Sequence, residues 1–441
     1  MEVTLMQMLE AREARVARQE TLLCQYGLPL LSFTMNIAGP VKNNDLITQS
    51  FYLGDRLVRQ ELQRRKIQWN AREITVQDTG CEAMYVLDMD SAELKAMAVD
   101  LEEGTSLGRL LDLDVILPQG QKIQRESPRR CLICGNVAQI CARSRAHSVQ
   151  QLQAKTFEIL QEAVDKDDAE TAARLACQAL LYEVCATPKP GLVDRENSGS
   201  HTDMDIFTFE ASAVALWPYF YDCTRIGRQT STLSPAETFA CLRRRGKLAE
   251  GEMLRVTSGV NTHKGAIFSM GLLCGALGRL QQGLWKNSDV VLDTVAALAQ
   301  GLTASDFTGR TTAGERLYRD YGVTGVRGQA EAGFPAVRKI GLPIFKQGLS
   351  QGLSCNDAGC VALLHMMPVV QDTNLLHRGG PSAQPFVTGA VEKILQQNPF
   401  PSMDEIRRLD EVLIDRHLSP GGCADLLALT YMLWLLEQTE R

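Results

Sequence analysis

From about residue 150 to its end the 441-residue chain keeps a helical period with almost no strand-like alternation, and this change of pattern constrains the fold most. "SVQQLQAKTFEILQEAVDKDDAETAARLACQALLYEV" reads as helix almost throughout, with an acidic break expected at residues 165–168. Downstream, glycine-rich turns separate apolar helices such as "AIFSMGLLCGALGRL" and "ADLLALTYMLWLLEQ". Upstream, "GLPLLSFTMNIAGPVKNN", "EAMYVLDMD" and "GRLLDLDVILPQG" read as strands with their turns, and "SAELKAMAVDLEE" as a helix. The pattern predicts a multidomain protein. An α+β N-terminal domain over residues 1–160 is followed by a larger, mainly all-α domain over 161–441.

Composition narrows the class. With 45% hydrophobic and 22% charged residues, such a chain can bury real cores. A net charge of -6 argues against general nucleic-acid affinity. No window reaches the roughly 18 apolar residues of a membrane span, and "QMLEAREARVARQETLL" is an amphipathic charged helix rather than a leader. The thirteen cysteines are odd in number and irregularly spaced, which suits a reducing cytoplasm.

In the N-terminal part, Cys131, Cys134, Cys141 and His147 have spacings that could close a tetrahedral zinc site. The alternative is that reduced cysteines pack beside Ile133 and Val137. Around them lie Arg125, Arg129, Arg130, Arg143 and Arg145, a cluster suited to a polyphosphate or an acidic protein. Asp112 and Asp114 stand two apart in a strand. That spacing points both carboxylates to one face, where they could share a magnesium ion already bound to phosphates. Asp88 and Asp90 form a rival pair.

The C-terminal part carries several polar, glycine-marked turns opening onto apolar helices. "TSGVNTHKGAIFSMG" puts Asn261, Thr262, His263 and Lys264 at the start of a long helix, whose unpaired amides and positive end suit a phosphate. It is not a Walker A loop, because Gly265 follows the lysine. Gly271 and Gly275 suit close helix packing. "SPGGCADLLALTY" supplies Ser419, Gly421, Gly422 and Asp425; "DTNLLHRGG" supplies Asp372, Asn374 and Arg378; "GVRGQAEAGFP" supplies Arg327 and Glu331. "PGLVDRENSGSHTDMD" adds His201 and Asp203, although a helix cap at Thr202 or Asp203, with Asp205 in the first turn, would also explain it. These turns are expected to converge on one site.

Two resemblances give the residues a chemistry. "AREARVARQETLL", "PLLSFTMNIAGPVKN", "LGRLLDLDVI" and "CLICGNVAQICARSRAHS" resemble the phosphoribosyl-dephospho-CoA transferase that completes the acyl carrier protein of citrate lyase, over about residues 8 to 155. The likeness rests on Arg12, Arg15, Arg18, Lys42, Arg109, Asp112, Asp114, Cys131, Cys134, Cys141 and His147. It departs at Thr105 and Ser106, where the family carries His-Pro. It implies that a carrier-protein serine attacks the α-phosphorus of a triphosphoribosyl group and expels pyrophosphate, a reaction that needs Mg2+ and cations. The partner so implied is the citrate lyase acyl carrier protein (gamma subunit), with no nucleic acid and no membrane.

"TPKPGLVDRENSGSHTDMD", "GEMLRVTSGVNTHKGAIFSMGLLCGALGRL", "GERLYRDYGVTGVRG", "DTNLLHRGG" and "SPGGCADLLALTYML" resemble triphosphoribosyl-dephospho-CoA synthase, over about residues 172 to 438. This family joins ATP to 3'-dephospho-CoA and releases adenine. Its Gly-x-His-x-Asp-Met pattern falls on Gly199, His201, Asp203 and Met204, which favours Asp203 over Asp205. Gln329 stands where the family carries Glu, so Glu331 is the acid expected there. The resemblance implies Asp203, Asp372 and Asp425 as metal ligands or base, His201 and His263 for proton transfer, and Lys189, Lys264 and Arg378 for phosphates. Alternatives are the equivalent reactions for malonate decarboxylase, or a nucleotide- or zinc-binding protein without turnover.

Overall fold

The computed structural model describes residues 2–306, 318–319 and 322–439. Part of the "GERLYRDYGVTGVRG" resemblance, residues 314–317 and 320–321, lies outside the described residues. The chain forms two compact units divided between Asp167 and Asp168.

Among the described residues the first unit has four strands, β1 (Leu30–Met35), β2 (Trp69–Gln77), β3 (Gly80–Leu87) and β4 (Leu111–Ile116). They form one antiparallel sheet in the order β2-β3-β1-β4. Side-chain alternation turns Leu31, Phe33, Tyr85, Leu113 and Val115 to one face. There they pack with Phe51 and Val58 of α2 (Asp45–Arg64) and Leu94 and Met97 of α3 (Ser91–Gly104). On the other face Leu30, Met84, Val86 and Ile116 meet Leu22 and Leu23 of α1 (Leu5–Tyr26). That second face is only partly apolar. Thr34 stands opposite both Glu82 and Asp112, and Ser32 opposite Asp114, so a polar row crosses the sheet beside α1.

The sequence reading passes over β2, and the reason is physical. β2 is an edge strand with no buried position, and its Arg72, Glu73 and Gln77 dilute the apolar alternation. The expected acidic break is also absent: one helix, α5, runs over Val149–Cys185. Arg56 neutralises Asp167, and Arg228 pairs with Asp168 at 2.7 Å, so the acids are held without breaking the helix.

The second unit is largely helical, with no strand among its described residues. It begins with the end of α5 and continues through α6 (Ile206–Ala215), α7 (Trp217–Gln229), α8 (Pro235–Val256) and α9 (Lys264–Arg279). α9 and the helices Cys355–Met366 and Gly421–Glu437 are apolar nearly all round, so they occupy the centre. A Cβ at Gly271 would lie 2.0 Å from the Tyr219 hydroxyl, and one at Gly275 would lie 2.5 Å from Leu242. Both glycines permit close packing. The N-termini of α9, of the helix Thr373–Gly379 and of Gly421–Glu437 contribute to one cavity.

Candidate active sites

That cavity has a volume of about 1120 Å³. The turn before α9 contributes Asn261, Thr262, His263 and Lys264 to its wall. The turn before Gly421–Glu437 contributes Ser419, Gly421 and Gly422, with Asp425 one turn further on. Asp372, Asn374 and Arg378 line it from the helix Thr373–Gly379, Arg327 from the helix Gly325–Glu331, and Lys189 and His201 from the loop after α5.

Its carboxylates are set by burial. Asp372 is 1% exposed and caps Thr373–Gly379 by accepting the Asn374 amide at 2.8 Å, while its other oxygen accepts the Cys423 amide at 3.0 Å. It therefore ties two helix starts together. Burial still pushes its carboxyl up, against the pull of these amides. Asp425 sits against the first turn of α9, where only a glycine fits: a Cβ on Gly265 would lie 1.8 Å from Asp425 Oδ2. Burial raises its carboxyl well above the usual range, and the charges of Glu183 and Asp372 raise it further.

The two histidines are held differently. His201 uses both ring nitrogens: Nδ1 accepts from Arg378 Nη2 at 2.9 Å, and Nε2 lies 2.9 Å from Ser419 Oγ. It orients Arg378 and Ser419 on the cavity wall. His263 is 3% exposed, and its Nδ1 is 2.7 Å from Ser212 Oγ. Thr262 donates to the same Ser212 oxygen at 2.8 Å, so the ring is held by a short hydroxyl chain. Nε2 has no partner among the described residues. Burial, and then the Lys189 charge, lower this imidazole to about 3, so it is neutral at physiological pH.

Several predicted residues lie elsewhere or are partnered. Asp203 is exposed, 3.8 Å from His201 Nδ1, and is not on the cavity wall. The cap of α6 is Asp205, through a reciprocal pair of bonds with Thr208, and not Asp203 or Thr202. Glu331 is not on the cavity wall and accepts the Gly301 and Thr303 amides at 2.8 and 3.2 Å, whereas Gln329 lines the wall. Lys264 lines the cavity but pairs with Glu250 of α8 at 2.9 Å, both partly exposed.

In the first unit Asp112 and Asp114 share the polar face of β4, and each already carries a cation. Arg129 lies 2.9 Å from Asp112, and Lys122 lies 2.7 Å from Asp114. The rival Asp90 is the cap of α3. Arg15 and Arg18 of α1 reach the same face and share Glu82, at 2.7 and 2.5 Å. Lys42 donates to the Ile37 carbonyl at 2.7 Å; burial and then the Arg12 charge lower its ammonium. Arg109 donates to the carbonyls of Arg130 and Cys131 at 3.0 and 2.9 Å. Arg143 and Arg145 are exposed. The ligand atoms of Cys131, Cys134, Cys141 and His147 all lie within 4.8 Å of one another.

Comparison with known proteins decides between the alternatives. Residues 169–441 match the family of ATP:dephospho-CoA triphosphoribosyl transferases (CitG), and residues 3–163 match apo-citrate lyase phosphoribosyl-dephospho-CoA transferases (CitX). The chain belongs to both families, fused. Protein CitXG of Haemophilus influenzae is 38% identical over 97% of this chain and 95% of its own length. Protein CitXG of Leuconostoc mesenteroides is 32% identical over 98% and 97%. The 2-(5''-triphosphoribosyl)-3'-dephosphocoenzyme-A synthase of Haemophilus ducreyi is 41% identical over 68% of this chain and 97% of its own. The chain is thus a bifunctional transferase of the citrate lyase prosthetic group; the malonate decarboxylase alternative gains no support from these matches.

Within the CitG half, sequence reasoning misses Glu183, which is 4% exposed and bonded to Lys189 Nζ inside the cavity wall. Burial raises its carboxyl and the lysine charge opposes the shift. It sits in the last turn of α5, and an acid one turn before a proline-rich loop is the available signal. Asp194 and Asp410 are also missed. Asp194 accepts the Lys189 amide at 3.0 Å, and Asp410 accepts the Gly191 amide at 2.7 Å, so they fix the loop carrying Lys189 and His201. In the CitX half the missed residues are Glu82 and Glu102. Glu102 takes Arg129 and, at 3.2 Å, Arg125. No pattern distinguishes these acids from exposed ones.

Proposed function

We propose that the helical unit joins ATP to 3'-dephospho-CoA with loss of adenine, and that the polar face of the sheet passes the phosphoribosyl-dephospho-CoA group to a serine of the citrate lyase acyl carrier protein (gamma subunit) with loss of pyrophosphate. The observation that carries the first half is the convergence of Lys189, Asn261, His263, Asp372, Arg378 and Asp425 on one cavity of about 1120 Å³. That exceeds the ~300–1,000 Å³ of an ordinary single-ligand pocket, as two nucleotides require.

A ribose hydroxyl of dephospho-CoA attacks the anomeric carbon of ATP, and the bond to adenine breaks. Adenine leaves as a neutral base only if it gains a proton, and Asp425, with its raised carboxyl, is our candidate donor. The carboxylate left behind would face the positive charge developing on the sugar and take the proton that the attacking hydroxyl loses, which returns Asp425 to its starting form. His263 Nε2 offers a second hydrogen bond. Arg378, Lys264 and the amides opening α9 would take the triphosphate, with Lys189, Arg327, Asn374 and Ser419 completing the polar wall. Magnesium bound with ATP would supply charge neutralisation, and Asp203, exposed beside His201, is the candidate to hold it.

For the transfer, Asp112 and Asp114 fit a magnesium ion. Both are partly exposed on one face, and both attract cations already. Arg15, Arg18, Lys42, Arg109, Arg143 and Arg145 are candidates to hold the leaving pyrophosphate. We assign the transferase to residues 1–160 and the synthase to 161–441. A cytoplasmic location is supported by thirteen cysteines that are all thiols, and no described helix is long and apolar enough to cross a membrane. The acidic net charge of -6 favours nucleotide and protein partners over nucleic acid.

The test is direct. Full-length protein given ATP, dephospho-CoA and Mg2+ should release adenine, and adding the apo carrier protein should then release pyrophosphate. Folded protein that yields no adenine refutes the synthase reading, and pyrophosphate release from a carrier protein lacking its serine refutes the transfer reading.

A further inference from the structure

We propose that Cys131, Cys134, Cys141 and His147 hold one zinc ion, and that this ion clamps the segment that holds Arg109 and sets Arg129 beside Asp112. Between β4 and α5 the chain has only one short helix, α4 (Ala138–Ser144), and its apolar residues Ile133 and Ile140 are 38% and 62% exposed. Ile123 and Leu132 reach the core under the sheet, but the stretch around α4 buries little of its own apolar surface. Small segments of this kind are held by a metal or a cross-link.

The donor atoms are in place for a metal. Cys134 Sγ is 3.4 Å from Cys141 Sγ and 3.3 Å from His147 Nε2, and all four donors lie within 4.8 Å of one another. A tetrahedral zinc with Zn–S about 2.3 Å and Zn–N about 2.0 Å spaces its donors roughly 3.5–3.8 Å apart. A disulfide would need sulfurs at about 2.05 Å and would use only two of the four groups. The backbone is also shaped for it. Gly135 has φ +73° and donates to the Cys131 carbonyl at 3.1 Å, while the Cys131 amide donates to the Asn136 carbonyl at 2.6 Å, folding the CxxC tightly back on itself. After α4, Arg145 takes φ +49° and Ala146 donates to the Cys141 carbonyl, which turns His147 back to Cys134.

Charge agrees with geometry. Three thiolates and a neutral imidazole around Zn2+ leave a net charge of about -1, and Arg129, Arg130, Arg143 and Arg145 surround the cluster in sequence. The cluster is wired to the polar face of the sheet. Arg109, at the foot of β4, donates to the carbonyls of Arg130 and of the ligand Cys131. Arg129, two residues before that ligand, pairs with Asp112. Releasing the metal would loosen both contacts. The ligands are therefore positioning residues for the transfer reaction, and this half of the inference rests on the transfer reading above.

The experiment measures zinc by elemental analysis in full-length protein passed over a chelating resin, together with adenine release and carrier-protein modification by the same preparation. Wild type should hold about one zinc per chain. His147→Ala should lose the metal and slow modification at least about tenfold, with adenine release unchanged. His147→Cys keeps a ligand, so it should recover both zinc and modification, which a merely bulky side chain would not achieve. Zinc-free wild type, or a Cys134–Cys141 disulfide found by thiol titration, overturns the site. Zinc that is lost in His147→Ala with modification unchanged overturns the positioning role. Wild type that binds zinc but modifies no carrier protein overturns the transfer reading instead.

Discussion

Asp425 and Asp112 are both aspartates assigned to reactions on a triphosphoribosyl group, and their surroundings differ in kind. Asp425 is enclosed with Glu183 and Asp372, and burial together with those charges raises its carboxyl well above the usual range. Asp112 is 45% exposed on a sheet and carries an arginine at 2.9 Å. A carboxyl that holds its proton more tightly than usual suits a small substrate that needs one. An open carboxylate already matched to a cation suits phosphates and a metal, presented where a whole protein can approach. Enclosure and openness thus divide the two chemistries within one chain.

The largest effect expected is that of Asp425→Asn. It removes the ionisable proton but keeps the shape, and should slow adenine release about 10²–10⁴-fold. Modification of the carrier protein with ready-made precursor should continue at the wild-type rate. Normal adenine release in this variant would remove the acid role and, with it, the contrast drawn here. Asp112→Asn is the mirror experiment: modification should fall about 10²–10³-fold, with adenine release intact. If either variant lost both activities while melting like wild type, the two sites would not be independent.

Much of this contrast could be read in the sequence, though unevenly. The turns before α9 and before Gly421–Glu437 were legible because phosphate chemistry at a helix start leaves a local mark of glycine, asparagine and lysine. The strand pair Asp112 and Asp114 was legible because alternation fixes which side chains share a face. Glu183 and Glu102 were not. Whether an acid in a helix meets water or a buried lysine is decided by what packs on it, and that partner lies outside the local pattern. The exchange of Glu331 for Gln329 has the same origin. On the short helix Gly325–Glu331 two residues make about half a turn, and the direction of the cavity depends on helices far away in sequence.

A smaller effect is expected at Lys264. A charge-assisted contact to phosphate is worth ~1.5–3 kcal/mol, or roughly 10- to 150-fold. Lys264 is partly exposed and shares its charge with Glu250, so the low end applies. Lys264→Met should raise the ATP concentration needed for half-maximal adenine release roughly tenfold, with little change at saturation. A fall in the saturated rate with unchanged ATP dependence would place the lysine at the reacting sugar.

The gentlest test uses acid stability, and its sign can be worked out from His263. In the folded chain this imidazole is held down to about 3, whereas an unfolded chain protonates it near its ordinary value of 6.5. Below pH 6.5 the unfolded state therefore binds a proton that the folded state refuses, and stability is lost as pH falls toward 3. The raised carboxyls of Asp372, Asp410 and Asp425 act the other way, since the folded state binds their protons first as pH drops. In the wild type the two trends partly offset. His263→Gln removes one of them, so the variant should gain on the wild type by up to ~1.4 kcal/mol per pH unit below 6.5. That corresponds to a relative rise in melting midpoint of roughly 2–6 °C per pH unit. The transition to follow is the one that ATP raises, which identifies the helical unit. Midpoints that run parallel from pH 7.5 to 5 would mean that His263 meets water, and the enclosed half of the comparison would fail.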